Sequence, residues 1–508
     1  MKKIKNIVML SLLAVVLATS SCSDFLDVNK DPNRVTGDNV TPDLIFTQAE
    51  NAVGQRQATR FVFMNNWMGY WGRSGTFIVE QEETSYKIAN TFAETNWDQA
   101  YNILFDLYQV KTKAFATKDS VLAGASIVLS VKLWQETVDQ FGAIPYSKAF
   151  DSAGNPTPAY DKASDIYANL LVQLDLALKC FKANPTSIFS KTDIIFARGG
   201  SASAAIVKWK KLVNTIRLRI LLRQSEILGS TPTAELAKIT ADGFLNAGEN
   251  VSVNPGYSNA TDKQNPFYAA FGLTPSGAAA STNNTPNNYF LNTILGGTDP
   301  RKTQFFQSPI AGTDYGAQNG NNSTGHAVIV GSGMGPGLLG ANKSLSDQFI
   351  LPAFESLFFQ AEATARGWLA GGDAATKTLF DAAIAESFAW LAVPLAATAA
   401  TTYQSSVTTA NWLSSGTTIA DKVKFIAFQK YIALCGVDAI EAWSDLRRGV
   451  LVLPTTPSSY LSKNSTAAAS LPNVLTYPQT EFTTNSANIP TPVRTTTTIF
   501  TEKLFWQP

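Results

Sequence analysis

The chain has 508 residues, of which 45% are hydrophobic, so it can bury a large core. Its 40 Lys and Arg balance 39 Asp and Glu, and this near-zero net charge excludes the strong positive field that holds nucleic acid. The single histidine, His326, lies in a glycine-rich segment without a recognisable Ser or Cys nucleophile motif. This removes the usual catalytic triads and histidine-rich metal sites, and we expect neither a metal nor a cofactor.

Residues 1–21 have the order of an export signal, with lysines, an apolar run and then small polar residues. The apolar run of about 12 residues is shorter than the roughly 20 that span a membrane. Cys22 follows directly, where lipoprotein processing acylates a cysteine, and two or more acyl chains anchor a protein stably. Thr19 stands where most lipoprotein signals carry Leu, so a plain secretory signal is the alternative. Residues 22–40 are expected to form a tether.

The dominant pattern after the tether is apolar residues three and four positions apart, which predicts amphipathic helices. Thr41 is predicted to cap the first helix, with Pro42 and Asp43 in its first turn. Gly142 is predicted to end a helix, and Pro145 to prevent it from resuming. The clearest stripes are Trp97, Tyr101, Leu104 and Tyr108; Ile127, Val131, Trp134, Val138 and Phe141; Leu171, Leu174, Leu178 and Phe181; Trp209, Val213, Ile216 and Ile220; Phe354, Phe358, Ala361, Ala365 and Trp368; and Phe425, Phe428, Ile432, Cys435 and Ala439.

These stripes predict an all-α fold of tetratricopeptide-like helix pairs. Residues 41–508 are expected to form one domain. Its helical scaffold covers about 41–249 and 346–449, including one late helix over 424–443. A loop-rich lobe, dense in Asn, Gly, Thr and Pro, covers about 250–345 and 450–508 and packs on the scaffold.

Cys180 and Cys435 lie in apolar helical runs and are expected to be buried, with a bridge between them as the alternative. Two groups of charged residues on the predicted helices are expected to make contacts within the protein. A helix with Lys208, Lys211, Arg217 and Arg223 is predicted to be solvated or internally paired, with a partner surface as the alternative. The late-helix residues Asp438, Glu441, Asp445, Arg447 and Arg448 are predicted to form ion pairs and cap contacts.

Six segments follow one another along nearly the whole mature chain in a recognisable order. They are SCSDFLDVNKDPN (21–33), WQETVDQFGAIPYSKAF (134–150), KWKKLVNTIRLRILLR (208–223), ESLFFQAEATARGW (355–368), YIALCGVDAIEAWSDLRRG (431–449) and PTPVRTTTTIFTEKLFW (490–506). No single segment is specific. Together they resemble the SusD/RagB family, in its SusD-like branch of outer-membrane nutrient-binding lipoproteins.

The resemblance implies a helical fold, anchoring by lipid in a Bacteroidetes outer membrane at the cell surface, and a SusC-type TonB-dependent channel as partner. It further implies binding of an oligosaccharide, or less often a peptide, without catalysis. Two alternatives stay open. The protein could be a structural lid of the channel that binds no ligand, or a glycoside hydrolase with two carboxylates, although no carboxylate pair is marked out by its setting.

Capture of an oligomer requires apolar ring faces with polar groups at their rims. One segment, residues 61–77, combines the two, and aromatic and amide residues recur in the lobe. Rings at three and four spacing are also typical of a core, and for that reason Trp97, Tyr101 and Trp134 are assigned to the core. The predicted ligand-binding residues are Asn65, Asn66, Trp67, Tyr70, Trp71, Arg73, Asn287, Tyr289, Tyr315 and Asn319.

Overall fold

The structure is a computed structural model that describes residues 40–74, 81–151, 153–186, 188–315, 331–464 and 470–508. It is 52% helical and has only small sheets, so the predicted all-α fold is confirmed. The predicted signal peptide, the lipidation site Cys22, the tether up to residue 39, the candidate residue Asn319 and His326 lie outside the described residues.

Helices account for most of the described chain. In chain order they are α1 (Pro42–Thr59), α2 (Val62–Trp67), α3 (Gln81–Ser85), α4 (Glu94–Ala116), α5 (Ser120–Phe141), α6 (Ala163–Cys180), α7 (Phe189–Thr192), α8 (Ala202–Arg223), α9 (Thr233–Leu236), α10 (Pro266–Phe271), α11 (Lys302–Phe305), α12 (Pro336–Leu339), α13 (Ala353–Ala365), α14 (Gly372–Trp390), α15 (Ala396–Ser406), α16 (Ile419–Ala433), α17 (Ala439–Arg447) and α18 (Gln479–Thr484). Shorter helical turns lie at Phe290–Ile294, Lys343–Leu345, Trp412–Ser414, Ser486–Asn488 and Thr498–Phe500.

Six short strands pair as three antiparallel two-stranded sheets. The strands are β1 (Trp71–Arg73), β2 (Ile144–Pro145), β3 (Tyr160–Asp161), β4 (Val251–Val253), β5 (Asn284–Pro286) and β6 (Gln348–Leu351). Strand β1 pairs with β5, β2 with β3, and β4 with β6. The β1–β5 pair joins the segment after α2 to a segment more than 200 residues later in the chain. The β4–β6 pair joins the two ends of residues 251–351, and both of its strands pack on α1.

The long helices stack on one another in order, as tetratricopeptide-like pairs do. Helix α4 packs on α1 and α5, α6 packs on α5 and α8, and α13 packs on α8, α14 and α16. Among the described helices only α5 is long and apolar enough to span a membrane, and 94% of its most apolar stretch is buried. Its burial identifies α5 as the core helix of the stack.

Two predicted helix boundaries are confirmed and one cap is wrong. Helix α1 begins at Pro42 with Asp43 in its first turn, but the side chain of Thr41 makes no capping hydrogen bond. Helix α5 ends at Phe141, and Gly142 caps it with a φ of 71°, a value that favours glycine. Pro145 then lies in β2, which turns the chain away from the helix.

The late helix predicted over residues 424–443 is instead two helices. Gly436 adopts a φ of 73° between α16 and α17, a conformation that a helix cannot contain. Asp438 restarts the chain as α17 because its side chain accepts the N–H of Glu441. In the same way, Trp368 lies outside α13, which ends at Ala365 just before Gly367 at a φ of 73°. Periodicity continued across both glycines and concealed the breaks.

A network of buried charges lies at the centre of the stack, where α5, α8, α13, α16 and α17 meet. Each of its ten side chains is at most 3% exposed. Most of the ion pairs join different helices. The members are Lys132, Glu136, Asp139, Arg219, Arg223, Glu362, Lys430, Glu441, Asp445 and Arg448.

The network confirms that the basic helix α8 and the late helix α17 are paired internally. Arg217, also on α8, is fully buried and contacts Asp175 and Glu235, and Lys211 pairs with Glu249. Cys180 and Cys435 are buried free thiols, so the alternative of a bridge between them is wrong.

Removal of one partner from the network should destabilise the protein strongly. Arg448 donates two hydrogen bonds to Glu362, at 2.7 and 2.6 Å. We expect Arg448→Met to lower the free energy of unfolding by about 3–5 kcal/mol, because the buried Glu362 keeps only Arg366 as a partner and the buried Asp445 loses one of its two cations. Lys463→Met, which breaks the pair with Asp314 where the lysine is 62% exposed, should change it by less than about 1 kcal/mol. Urea unfolding of both variants measures their free energies of unfolding. Equal losses in the two variants would show that the buried pair is no more important for stability than the exposed one.

Asp438 should make stability depend on pH in a defined direction. Burial raises the pKa of Asp438 to about 6, from an ordinary value of 3.8. The folded state therefore holds a proton that the unfolded state has lost, and stability falls as pH rises through this window. Asp438→Asn keeps the cap and removes the titration.

The stability of Asp438→Asn relative to the unmodified protein should therefore rise by roughly 2–3 kcal/mol between pH 4 and pH 7. Urea unfolding at four pH values tests this. Asp421→Asn is a control with the opposite sign. The Thr418 hydroxyl lowers the pKa of the exposed Asp421 carboxyl, so the stability of this variant relative to the unmodified protein should fall as pH rises. A difference between Asp438→Asn and the unmodified protein that does not change with pH would show that Asp438 is ionised throughout.

Candidate functional site

The aromatic residues predicted to bind a ligand lie in the core instead. Trp67 and Tyr70 have no exposed surface and Trp71 is 1% exposed. The Tyr70 ring stacks on Tyr431 with centroids 4.6 Å apart, and its hydroxyl donates to the Tyr431 carbonyl oxygen at 2.6 Å. The Trp71 ring meets the edge of Phe271 at 5.3 Å. Because no ring face is open, this corrects the prediction that these three rings stack on a ligand.

Four of the predicted residues contact one residue, Glu83, three of them at its carboxylate and one at its backbone carbonyl oxygen. The sequence did not single out Glu83. Asn66 donates to Glu83 Oε1 at 2.6 Å and the Tyr315 hydroxyl donates to the same oxygen at 3.0 Å. Arg73 donates to Glu83 Oε2 at 2.6 Å. The Trp67 indole N–H donates to the Glu83 carbonyl oxygen at 3.1 Å. The structure thus brings these predicted residues together, but it buries their polar groups against Glu83 instead of presenting them to a ligand.

The three other described candidates hold backbone in place. Asn65 accepts the N–H of Gly436 at 2.9 Å, which fixes the break between α16 and α17. The buried Asn287 donates its backbone N–H to the Tyr70 carbonyl oxygen at 3.1 Å. The hydroxyl of the buried Tyr289 donates to the Pro454 carbonyl oxygen at 2.9 Å. With the pairing of β1 and β5, these contacts form the joint between the scaffold and the lobe.

An open cavity of about 860 Å³ lies on the lobe side of this joint. We call it the lobe cavity. Its walls are the end of α10 with the following hairpin, the α11 region and the glycine-rich segment around α12. It is lined by Tyr268, Phe271, Gly272, Leu273, Ala279, Ser281, Thr282, Asn284, Thr303, Gln304, Gln307, Ser308, Gly331, Gly333, Met334, Pro336, Leu339, Gly340, Ala341, Lys343 and Ala392.

Close backbone packing explains why one cavity wall is rich in glycine. A Cβ on Gly335 would lie 2.4 Å from the Gln304 carbonyl oxygen, and one on Gly337 would lie 2.5 Å from the Leu391 carbonyl oxygen. Any larger residue would push the wall away from α11. The segment VGSGMGPG was recognised in the sequence as a loop, but not as part of a site.

Polar groups without internal partners face the lobe cavity. The side-chain amides of Gln304 and Gln307 form no hydrogen bond to the part of the chain that the structure describes. The Lys343 ammonium is likewise unpartnered there. Asn284 Oδ1 is already used, because it accepts from Arg73 at 2.8 Å. The free amides can donate to and accept from hydroxyls or carbonyls of a ligand.

Apolar side chains complete the lining, namely Phe271, Leu273, Met334 and Leu339. Leu273 is 44% exposed. Of the lining residues that the structure describes, none is a carboxylate, so they provide no acid and base pair for hydrolysis. Across all described residues, no group of three His, Cys, Asp or Glu side chains could hold a metal. The lobe cavity has the composition of a binding site for a hydroxyl-rich or amide-rich molecule.

Two kinds of comparison relate the chain to known proteins. The family model SusD-like_2, described as starch-binding and associating with the outer membrane, matches residues 32–478. No curated protein matches the sequence. A chitin-binding SusD homolog from Flavobacterium johnsoniae has a TM-score of 0.67 at 21% identity, covering 87% of this chain and 94% of its own.

Two further solved structures share the fold. A SusD homolog from Bacteroides fragilis has a TM-score of 0.71 at 18% identity, covering 92% of this chain and 99% of its own. An outer membrane protein from Bacteroides vulgatus has a TM-score of 0.70 at 20% identity, covering 92% of this chain and 100% of its own. Because the family model covers most of the sequence, the chain belongs to the SusD-like family of nutrient-binding proteins that associate with the outer membrane.

Proposed function

We propose that this protein is a surface lipoprotein that binds a nutrient oligomer, a glycan rather than a peptide, in the lobe cavity and delivers it to a SusC-type TonB-dependent channel. The observation that carries the proposal is the lobe cavity itself, where the unpartnered amides of Gln304 and Gln307 lie beside apolar side chains. Family membership supports the outer-membrane setting. The chitin-binding relative supports a glycan.

The free energy of binding an oligomer requires several contacts in the cavity. Removal of about 100 Å² of apolar surface from water contributes roughly 2.5 kcal/mol. Micromolar affinity requires about 8 kcal/mol net of ordering costs, so a single contact is insufficient. Four apolar side chains and two free amides in one cavity provide several contacts at once. Mechanistically, the protein would bind and hold the oligomer without changing it, and the channel would supply the energy of uptake.

The two amides of the lobe cavity should determine affinity. Loss of an uncharged hydrogen bond costs about 0.5–1.5 kcal/mol, so we expect Gln304→Ala combined with Gln307→Ala to weaken glycan binding by at least fivefold. Calorimetric titration with soluble chitin oligomers and starch oligomers measures the change. Gln55→Ala removes an exposed glutamine of α1 outside the cavity and should bind as the unmodified protein does.

Two outcomes would overturn the proposal. Unchanged affinity in the double variant would place the ligand elsewhere on the protein. New reducing ends after incubation of the unmodified protein with either oligomer would favour the glycoside hydrolase. Failure of both oligomers and of a peptide library to bind would favour a structural lid.

Lipid anchoring is tested separately at Cys22. Cys22→Ser removes the sulfur that takes the diacylglyceryl group, so the protein should move from the membrane fraction to the soluble fraction. Cys180→Ser is the matched control, because Cys180 is a buried free thiol of the scaffold. Fractionation followed by immunoblotting measures the distribution. Continued sedimentation of Cys22→Ser with membranes would contradict acyl anchoring.

A further inference from the structure

A second concave surface lies on the scaffold, between α4, α5, α6 and the turn that follows β2. Its volume is about 360 Å³, and it shares no lining residue with the lobe cavity. We call it the aromatic groove, after the rings of Tyr108, Trp134, Tyr146 and Phe150 in its walls. Leu104, Ile127, Val131 and Leu170 also line it.

The rings of the aromatic groove pack on one another. Tyr108, Tyr146 and Phe150 keep exposed surface, whereas Trp134 is 7% exposed and forms the floor. Trp134 meets Tyr146 edge to face at 5.0 Å and Phe150 at 6.0 Å. Phe150 lies 5.3 Å from Tyr108, which is 38% exposed. The Tyr146 ring is further positioned by a 2.6 Å hydrogen bond from its hydroxyl to Asn169 Oδ1. The rings therefore form a prebuilt apolar surface.

Among the described residues that line the aromatic groove, Lys111 is the cation, and it has no counter-ion. The Lys111 ammonium lies 5.6 Å from the centroid of the Tyr108 ring and forms no ion pair with any carboxylate that the structure describes. Burial lowers the pKa of Lys111 from its ordinary value of 10.5, without a counter-ion to offset that effect. By contrast, the more deeply buried Lys132 and Lys430 each lie beside carboxylates. Lys111 is partly desolvated and still lacks an acceptor.

The carboxylate that also lines the aromatic groove is occupied elsewhere. Asp151 accepts the N–H of Gly154 at 3.3 Å and the amide of Asn155 at 2.6 Å. Asn169 and Gln173 add amide groups at the α6 side of the groove. Asn169 Oδ1 is used twice, but its Nδ2 donates to no described residue. The Lys111 ammonium and the Asn169 amide donor therefore both line the groove without an acceptor among the described residues.

We propose that the aromatic groove is a second binding site, for a single ring that carries a carboxylate. The ring would lie against Tyr108, Trp134 and Phe150, and the carboxylate would accept from Lys111. A charge-assisted hydrogen bond at a partly desolvated site is about twice as strong as a neutral one. A sugar acid and an aromatic acid share this chemistry, and the site does not depend on the function proposed for the lobe cavity.

The test uses the mature protein with glucuronate and 4-hydroxyphenylacetate, and with glucose and 4-methylphenol as their neutral counterparts. Saturation-transfer NMR titrations measure each affinity. We expect at least one acid to bind at least tenfold more tightly than its neutral counterpart. Lys111→Met keeps the aliphatic stem and should remove that preference, whereas Lys111→Arg should retain it.

The controls separate this site from the rest of the molecule. Lys179→Met removes an exposed charge of α6 outside the groove and should leave the preference for acids unchanged. The Gln304→Ala and Gln307→Ala pair should also leave it unchanged. Tighter binding of glucuronate would identify the ligand as a sugar acid, and tighter binding of 4-hydroxyphenylacetate would identify it as an aromatic acid. Binding of neither acid, equal binding of acid and neutral ring, or an unaltered preference in Lys111→Met would each overturn the proposal.

Discussion

The rest of the structure depends on the buried network of ten charges, because a charge removed from water is costly unless a counter-ion compensates it. Arg223 of α8 contacts Asp139 of α5 and Glu441 of α17, and Lys430 of α16 contacts Asp445 of α17. If any of these helices moved along its neighbour by one turn, its partners would separate inside the core. The network therefore determines the register of the stack, whatever it adds to net stability.

A short series of contacts connects α16 to the lobe, so the position of α16 affects the position of the lobe. Tyr431 of α16 lies under the Tyr70 ring, and Gly436 just beyond the helix donates to Asn65. Both contacts hold the segment that leads into β1, which pairs with β5 at the edge of the lobe cavity. Asn284 of β5 lines that cavity. Buried charges more than a hundred residues away in sequence thus determine where a cavity wall lies.

Periodicity predicted the helices because it reports burial along one face, but it could not predict two tertiary features. Gly436 interrupts a stripe that continues on both sides, and only its backbone angle ends the helix. Likewise, the sequence pattern around Trp67 and Tyr70 is as suitable for a ligand as for a core. The choice depends on Glu83 and Tyr431, which lie 16 and 361 residues away from those two rings.

The two proposed binding surfaces share one feature: a cavity wall carries a polar group that the protein itself leaves without a partner. Arg73 and Asn66 are the residue types expected at a ligand rim, yet Glu83 accepts from both. Gln304 and Lys111 are less conspicuous in the sequence, and both are left without an acceptor among the described residues. A neutral side chain at position 111 would avoid the desolvation of an ammonium, so selection for stability alone does not explain the lysine. The acid-binding role proposed for the aromatic groove does explain it, whereas the buried rings of Trp67 and Tyr70 are explained by packing alone.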